Sequence, residues 1–481
     1  MATIFLTNLG VRDIRLAGQY LERPRQDGDR LLREWPDVAD QLSLPIVEPT
    51  VRYLRDRGST PDRVVLFATD QPDTAASRDR DRDTVHFAEL AKRLLEKRLE
   101  LGGRVIVRRI GHGNPALYDE MYRFFARVIG NRADKTFQDV RHCYISPVGG
   151  TPAANTGLLL AGVEHFGKDC TVLYLREGTD VPVGLDVGRL LYVSTLRQVA
   201  AQQIESYQFA ASLPLLRELE LPRESCCLEL AEYCQRRLNF DFGRARRVVE
   251  DAYSRAQPDT RGLLDQATTE ARHLDEATDA GPLLVELAHN MDVAYRNGAY
   301  VDYLARVVRF EEAAARFVVE TSLPPLSYAR NDYEAQAARR KQIAEIPDLL
   351  DYLGTISIHG QPIRYEQSNA KVLLALVDYV VSERANRPIE WVPPAQRRQE
   401  LAEAQQTLRR LEGLNRQRNA SVHQFGGASA EQIARLYEEA AGEPRDLRAD
   451  IWRTVELVVG QAPGEWLVDQ AKAKISAELQ T

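Results

Sequence analysis

A chain of 481 residues has room for about three domains and a sizeable core. Apolar residues make up 44% and charged residues 28%, and the formal net charge is −7, so no global positive field draws nucleic acid and any phosphate contact must come from a local basic patch. The five cysteines (Cys143, Cys170, Cys226, Cys227, Cys234) contain no CxxC pair, which argues against a disulfide framework or a zinc site and for reduced thiols in the cytoplasm.

The opening Met1-Ala2-Thr3-Ile4-Phe5-Leu6 has no basic segment ahead of its apolar residues and is not read as a signal peptide. Short apolar or β-branched runs at 4–6, 64–67, 105–107, 142–146, 171–175 and 190–193 predict strands. Between them lie helical spacings, one through Phe87, Leu90, Leu94, Leu95 and Leu99, another through Tyr118, Met121, Phe124, Phe125 and Val128. Strands alternating with helices predict a parallel, Rossmann-like α/β sheet. In such a sheet ligands gather beyond the carboxyl ends of the strands. The first strand runs there into Thr7-Asn8-Leu9-Gly10-Val11-Arg12-Asp13, and the second into Ala68-Thr69-Asp70-Gln71. The alternating Arg-Asp run at 78–83 is read as a solvated loop entering the next helix, with a lid over the ligand edge as the alternative.

The sharpest local feature of this half is Ser146-Pro147-Val148-Gly149-Gly150-Thr151-Pro152-Ala153-Ala154-Asn155. Thr151 is placed to N-cap a helix, Pro152 sits at the first helical position, and Gly167 can end that helix. Gly149 and Gly150 expose backbone N–H groups just ahead of a helix dipole, which makes a phosphate cradle. Taken alone, the turn is equally a tight strand–helix connection. It matches neither the Walker loop nor GxGxxG, and the missing GxGxxG weighs against an oxidoreductase. Polar residues on several loops at one edge favour a nucleotide-like ligand.

After Leu196 the strand signals stop and helical spacing continues to the end, punctuated by prolines; 356–358 is either one short strand or a turn. The longest apolar run, 372–381, is too short to span a bilayer and contains Asp378, so no membrane segment is expected. Pro394 opens a helix with an apolar face of Leu401, Leu408, Leu411 and Leu414. Between 397 and 418, six arginines stand against three glutamates, a modest footprint for RNA phosphate. No helix-turn-helix with a basic recognition helix is seen.

This stretch ends in Arg418-Asn419-Ala420-Ser421-Val422-His423. A histidine titrating near neutrality can take the proton of an RNA 2′-OH or donate one to the leaving oxygen, and an arginine can stabilise charge on the phosphorane. RNA supplies its own nucleophile, so no metal is required. Asn419 and His423 share a helix face, which lets Asn419 orient the imidazole or touch RNA. Arg418 and His423 lie about 140° apart on an ideal helix, which favours a site composed across a homodimer or a bend at the helix end. Arg416 also fits as the catalytic arginine; Arg418 is preferred because Asn419 follows it directly.

The hexapeptide resembles the R-x4–6-H motif of HEPN (higher eukaryotes and prokaryotes nucleotide-binding) ribonucleases. The α/β half with its Gly149-Gly150-Thr151 turn resembles a CARF (CRISPR-associated Rossmann fold) domain. CARF followed by HEPN is the layout of accessory ribonucleases of type III CRISPR systems. The resemblance covers both ends of the chain and is compatible with the middle. It implies a CARF domain over 1–198, a helical connection over 199–300 and a HEPN domain over 301–481. It further implies a cytoplasmic homodimer that binds one cyclic oligoadenylate, four adenylates being favoured over six, and then cuts single-stranded RNA without a metal. Carried over by position, Arg418, Asn419 and His423 form the catalytic group. The activator would be held by Thr7, Asn8, Leu9, Gly10, Thr69, Gly149, Gly150, Thr151 and Asn155. Some relatives also cleave the activator, for which Asn8 and Thr151 would orient the 2′-OH groups. The rival reading is a nucleotide-sensing scaffold or regulator that cuts nothing.

Overall fold

The computed structural model describes residues 2–176, 178–277, 280–324, 326–358, 361–384, 391–414 and 427–480. The chain divides into two compact units, Met1–Leu196 and Arg197–Thr481.

The first unit runs β1 (Ala2–Asn8), β2 (Arg15–Leu16), β3 (Gln19–Tyr20), α1 (Pro24–Arg33), β4 (Leu42–Ser43), α2 (Val47–Asp56), β5 (Arg63–Thr69), α3 (Ser77–Arg80), α4 (Val85–Arg98), β6 (Val105–Ile110), α5 (Tyr118–Ile129), β7 (Val140–Ser146), α6 (Pro152–Phe166), β8 (Cys170–Tyr174), β9 (Val183–Leu185) and α7 (Val187–Glu205), whose last turns enter the second unit. The main sheet has the order β6-β5-β1-β7-β8-β9. Its first five strands are parallel, and β9 pairs antiparallel with β8. Side chains alternate between the two faces. Phe5, Val64 and Leu66 pack against Leu31, Val51, Leu90 and Leu94, while Ile4, Leu6, Val65 and Phe67 pack against Met121, Phe125 and Leu158. Covering both faces is what makes β1 and β5 continuous apolar runs. The register sets Thr7 opposite Leu66 on one side and Ser146 on the other, so the loops after β1, β5 and β7 leave the sheet at one level.

Three features depart from the expected pattern. Residues 190–193 lie in α7, not in a strand. A short apolar run fits either element, and here it belongs to a helix with Leu190 and Leu191 exposed. The last strand is instead β9, whose three residues are all exposed and therefore carry no buried-strand signature. Third, a three-stranded sheet, β3-β2-β4, is inserted between β1 and β5. Its strands are two residues each, too short to show a period.

The second unit is helical: α8 (Phe209–Glu218), α9 (Cys227–Leu238), α10 (Phe242–Tyr253), α11 (Pro258–Asp275), α12 (Gly281–Arg296), α13 (Tyr300–Ser322), α14 (Tyr333–Ala344), α15 (Pro347–Gly354), α16 (Ala370–Val381), α17 (Ala395–Leu411), α18 (Ala430–Ala441), α19 (Leu447–Val459) and α20 (Leu467–Gln480). The segment at 356–358 contributes a two-residue strand, β10 (Ser357–Ile358), paired antiparallel with β11 (Gln361–Pro362). The apolar run at 372–381 is a core helix, α16, packed by α13 and α17. Its Asp378 sits at the core's margin, where Gln405 and Arg409 of α17 bind it. Leu401, Leu408 and Leu411 are buried, as the spacing of α17 requires. No described helix is long and apolar enough to cross a membrane.

Arg237 of α9 is fully buried and organises part of this unit. It binds Glu286 of α12, with Nε to Oε1 at 3.1 Å, reaches Glu270 at 3.0 Å, and donates to the Tyr233 hydroxyl at 2.8 Å. The Trp466 indole N–H donates to the same Glu286 carboxylate at 3.0 Å. One charge cluster thus ties together segments more than two hundred residues apart in sequence.

Candidate functional site

Loops at the carboxyl ends of β1, β5, β6 and β7 enclose a cavity of about 740 Å³. Asn8, Leu9, Gly10, Thr69, Gly150 and Thr151 line it, with Gln71 from the expected loop after the second strand, joined by Thr84, Asn114 and Pro115, which the sequence did not single out. A second chamber of about 510 Å³ lies beside it and shares Gly10, Val11, Arg82 and Gly150 with the first. Gly149 faces this second chamber.

Two of the expected ligand residues stand behind these walls. Thr7 is fully buried, and its hydroxyl donates to the Ser146 carbonyl at 3.0 Å, locking β1 to β7. Asn155 accepts from the Asn8 side-chain amide at 2.9 Å and so fixes its orientation.

The wall is built from reciprocal bonds. Leu9 N–H donates to the Phe67 carbonyl at 2.8 Å, and the Thr84 hydroxyl donates to the Leu9 carbonyl at 3.0 Å. Thr84 N–H in turn donates to the Thr69 hydroxyl at 3.1 Å. Thr151 caps α6 by accepting from Ala154 N–H at 3.1 Å, while its own hydroxyl donates to the Pro115 carbonyl. The β1, β5, β6 and β7 loops are thereby tied to one another.

Between the two chambers runs a ridge of backbone. A Cβ on Gly10 would stand 2.6 Å from the Gly150 nitrogen, and one on Gly149 would strike the Asn8 carbonyl and lie 2.6 Å from Asp13 Oδ2. Gly150 has φ +80°, a left-handed conformation that disfavours any side chain. Only glycine lets these loops meet so closely.

Asp13 lies under the ridge, accepts from Gly10 N–H, and is almost wholly buried. Burial pushes its pKa up from 3.8 to about 7, against the lowering effect of the Gly10 bond.

The Arg-Asp run at 78–83 is more structured than a solvated loop. Arg80 ends α3 and pairs with Asp73, while Asp79 and Arg82 face the larger cavity. Asp83 is fully buried, bound by Arg25 at 2.7 Å and by Gln71 N–H at 2.9 Å.

Arg416, Arg418, Asn419 and His423 lie outside the described residues. On the near side Leu414 is buried in the core; on the far side Ser429 and Gln432 form a capping box that starts α18. All five cysteines are buried free thiols.

The sequence matches no protein-family model and no curated protein. Among solved structures it is similar to Csm6 of Enterococcus italicus bound to cyclic hexa-2′-fluoro-hexa-dAMP, with a TM-score of 0.56 at 10% sequence identity over 99% of this chain and 100% of that one. The chain has the Csm6 fold. An N-terminal parallel α/β sheet followed by a long helical region is the CARF–HEPN layout expected from the sequence, and the likeness to Csm6 runs end to end.

Proposed function

We propose that the chain is a metal-independent endoribonuclease of type III CRISPR defence, switched on by a cyclic oligoadenylate. The observation that carries this reading is the cavity at the carboxyl edge of the sheet. It gathers Asn8, Leu9, Gly10, Thr69, Gly150 and Thr151 in a chain whose Csm6-like fold is, in the solved neighbour, found with a cyclic adenylate analogue. The expectation of a four-adenylate ring draws no support from that neighbour, whose ligand has six. The six-membered ring is therefore the first activator to try.

In the helical half, His423 would take the proton of an RNA 2′-OH as that oxygen attacks phosphorus. The 5′-oxygen then leaves with a proton, giving a 2′,3′-cyclic phosphate and a 5′-hydroxyl, while Arg418 offsets charge on the phosphorane. A homodimer is supported by the open apolar side of the α/β unit, where Val181, Val183, Leu190 and Leu191 of the β9–α7 region are all exposed.

The test is RNA cleavage in EDTA with cyclic hexa- and tetra-adenylate, with the ring recovered and examined afterwards. We expect RNA loss with one of the rings and none with His423→Ala. Ring binding with intact RNA would instead establish the non-cutting sensor. An altered ring would add activator cleavage in the α/β cavity to the reading. Size measurement in solution should give twice the mass of one chain.

A further inference from the structure

The two chambers flanking the Gly10–Gly150 ridge differ sharply in chemistry. The larger is mixed and carries no net charge: Leu9, Ile110 and Pro115 are set among the neutral hydrogen-bonding side chains of Gln71, Thr74 and Asn114, and its Asp79 offsets the Arg82 that it shares with the smaller. The smaller is lined by four arginines: Arg12, Arg15, Arg82 and Arg176. Its acid is Asp13, which is buried and turned toward Gly10 N–H.

These arginines differ from their neighbours. Arg25 is paired with Asp83 at 2.7 Å, Arg108 with Asp134 at 2.7 Å and Arg109 with Asp70 at 3.1 Å. Arg12, Arg82 and Arg176 have no carboxylate within ion-pair distance among the described residues. Arg15 is held by the Tyr20 hydroxyl and lies over the Tyr20 ring, 4.3 Å from its centroid. Four cations converging on one concave space, with their one acid buried and occupied by the Gly10 N–H, form a receptor for anions. The inserted β3-β2-β4 sheet supplies Arg15 and Tyr20 to this wall.

We propose that the ridge splits each bound adenylate between the chambers: the larger chamber, with no net charge, takes the base, and the arginine chamber takes the phosphodiesters flanking its ribose. This rests on the cyclic-oligoadenylate reading above. A flat, uncharged heterocycle with a hydrogen-bonding edge suits the first chamber and would be wasted on the second. A phosphodiester suits the second, where guanidinium groups grip its oxygens in pairs. The ridge carries no side chain, so the ribose can cross it in contact with backbone.

The test is calorimetric titration of the full-length protein with cyclic hexa-adenylate, cyclic tetra-adenylate and ADP over a salt series. The triple variant Arg12→Gln/Arg82→Gln/Arg176→Gln should bind at least about tenfold more weakly, and its slope of log affinity against log salt should be shallower by about two, since each lost phosphate contact removes roughly 0.7–0.9. Filling the other chamber with Ala75→Phe should weaken binding while leaving the salt slope unchanged. Equal affinity and equal slope in the triple variant would overturn the division, as would a slope change in Ala75→Phe. A wild type that ignores both rings yet binds ADP with an arginine-dependent slope would keep the division and overturn the ring as ligand. Binding of neither overturns both. Melting curves matching wild type confirm that each variant is folded.

Discussion

Arginine does opposite work in the two units. In the helical unit Arg237 and Arg339 are buried and saturated. Arg237 is enclosed by Glu286, Glu270 and Tyr233, and Arg339 donates to the carbonyls of Glu366, Ser327 and Arg330 at 2.7, 2.9 and 2.7 Å. At the ligand edge of the α/β unit, Arg12, Arg82 and Arg176 are exposed and face a cavity. A desolvated guanidinium must satisfy its donors internally or destabilise the fold, so the buried pair are structural cross-links. A solvated one without a carboxylate partner keeps its donors for a ligand. Burial and partnership, more than residue type, separate the two roles.

This contrast can be broken most severely at Glu286. Glu286→Ala takes from the buried Arg237 its one buried carboxylate, leaving the half-exposed Glu270, and should cost about 3 kcal/mol, read as a lower urea midpoint. The Arg12→Gln variant should shift the midpoint by less than about 0.5 kcal/mol. Comparable shifts for the two would erase the distinction. Arg418 is expected to be a third kind, catalytic rather than structural or ligand-gathering. Arg418→Ala should lower activated RNA cleavage about 10²–10³-fold with an unchanged melting curve. If Arg416→Ala gives the larger loss, the catalytic arginine is Arg416.

A smaller effect concerns the acid beneath the ridge. Asp13 has a native pKa raised to about 7 from 3.8, so the folded state holds its proton more tightly than the unfolded chain. The stability this contributes is complete below about pH 4 and is lost as pH rises toward and through 7. Asp13→Asn should therefore gain on wild type by about 2–3 kcal/mol between pH 5 and pH 8. A pH-independent offset between the two proteins would show that Asp13 titrates normally. Smallest is the cap of α6: Thr151→Ala should cost about 1 kcal/mol of stability and also free the Pro115 loop, weakening ring binding. Unchanged binding would remove Thr151 from the ligand wall.

How legible each part was in the sequence follows from how it is built. β1 and β5 were readable because both faces of the sheet are covered, which forces unbroken apolar runs. The Thr151 cap and Pro152 start of α6 were readable because capping is local. β9 was not, since an exposed edge strand has no buried face, and the apolar residues of α7 took its place in the pattern. The ligand edge was readable only in part. Asn8 to Gly10 and Gly149 to Thr151 announce themselves as strand-end turns. Thr84, Asn114 and Arg176 reach the same two chambers from loops that no local pattern connects. Thr7 and Asn155 look the same in sequence as the residues they support, and only packing shows that they face inward.

The glycine ridge also bears on attempts to change what the protein responds to. Contacts made by backbone on backbone have no rotamer through which to relax, so a library randomised at 10, 149 and 150 should return glycine at each from any selection for function. The arginine rim has slack by comparison, because exposed side chains can be lengthened, shortened or recharged without moving the chain. On the proposed reading of the two chambers, changing the anion they take is a problem of redecorating positions 12, 82 and 176 around a fixed spine.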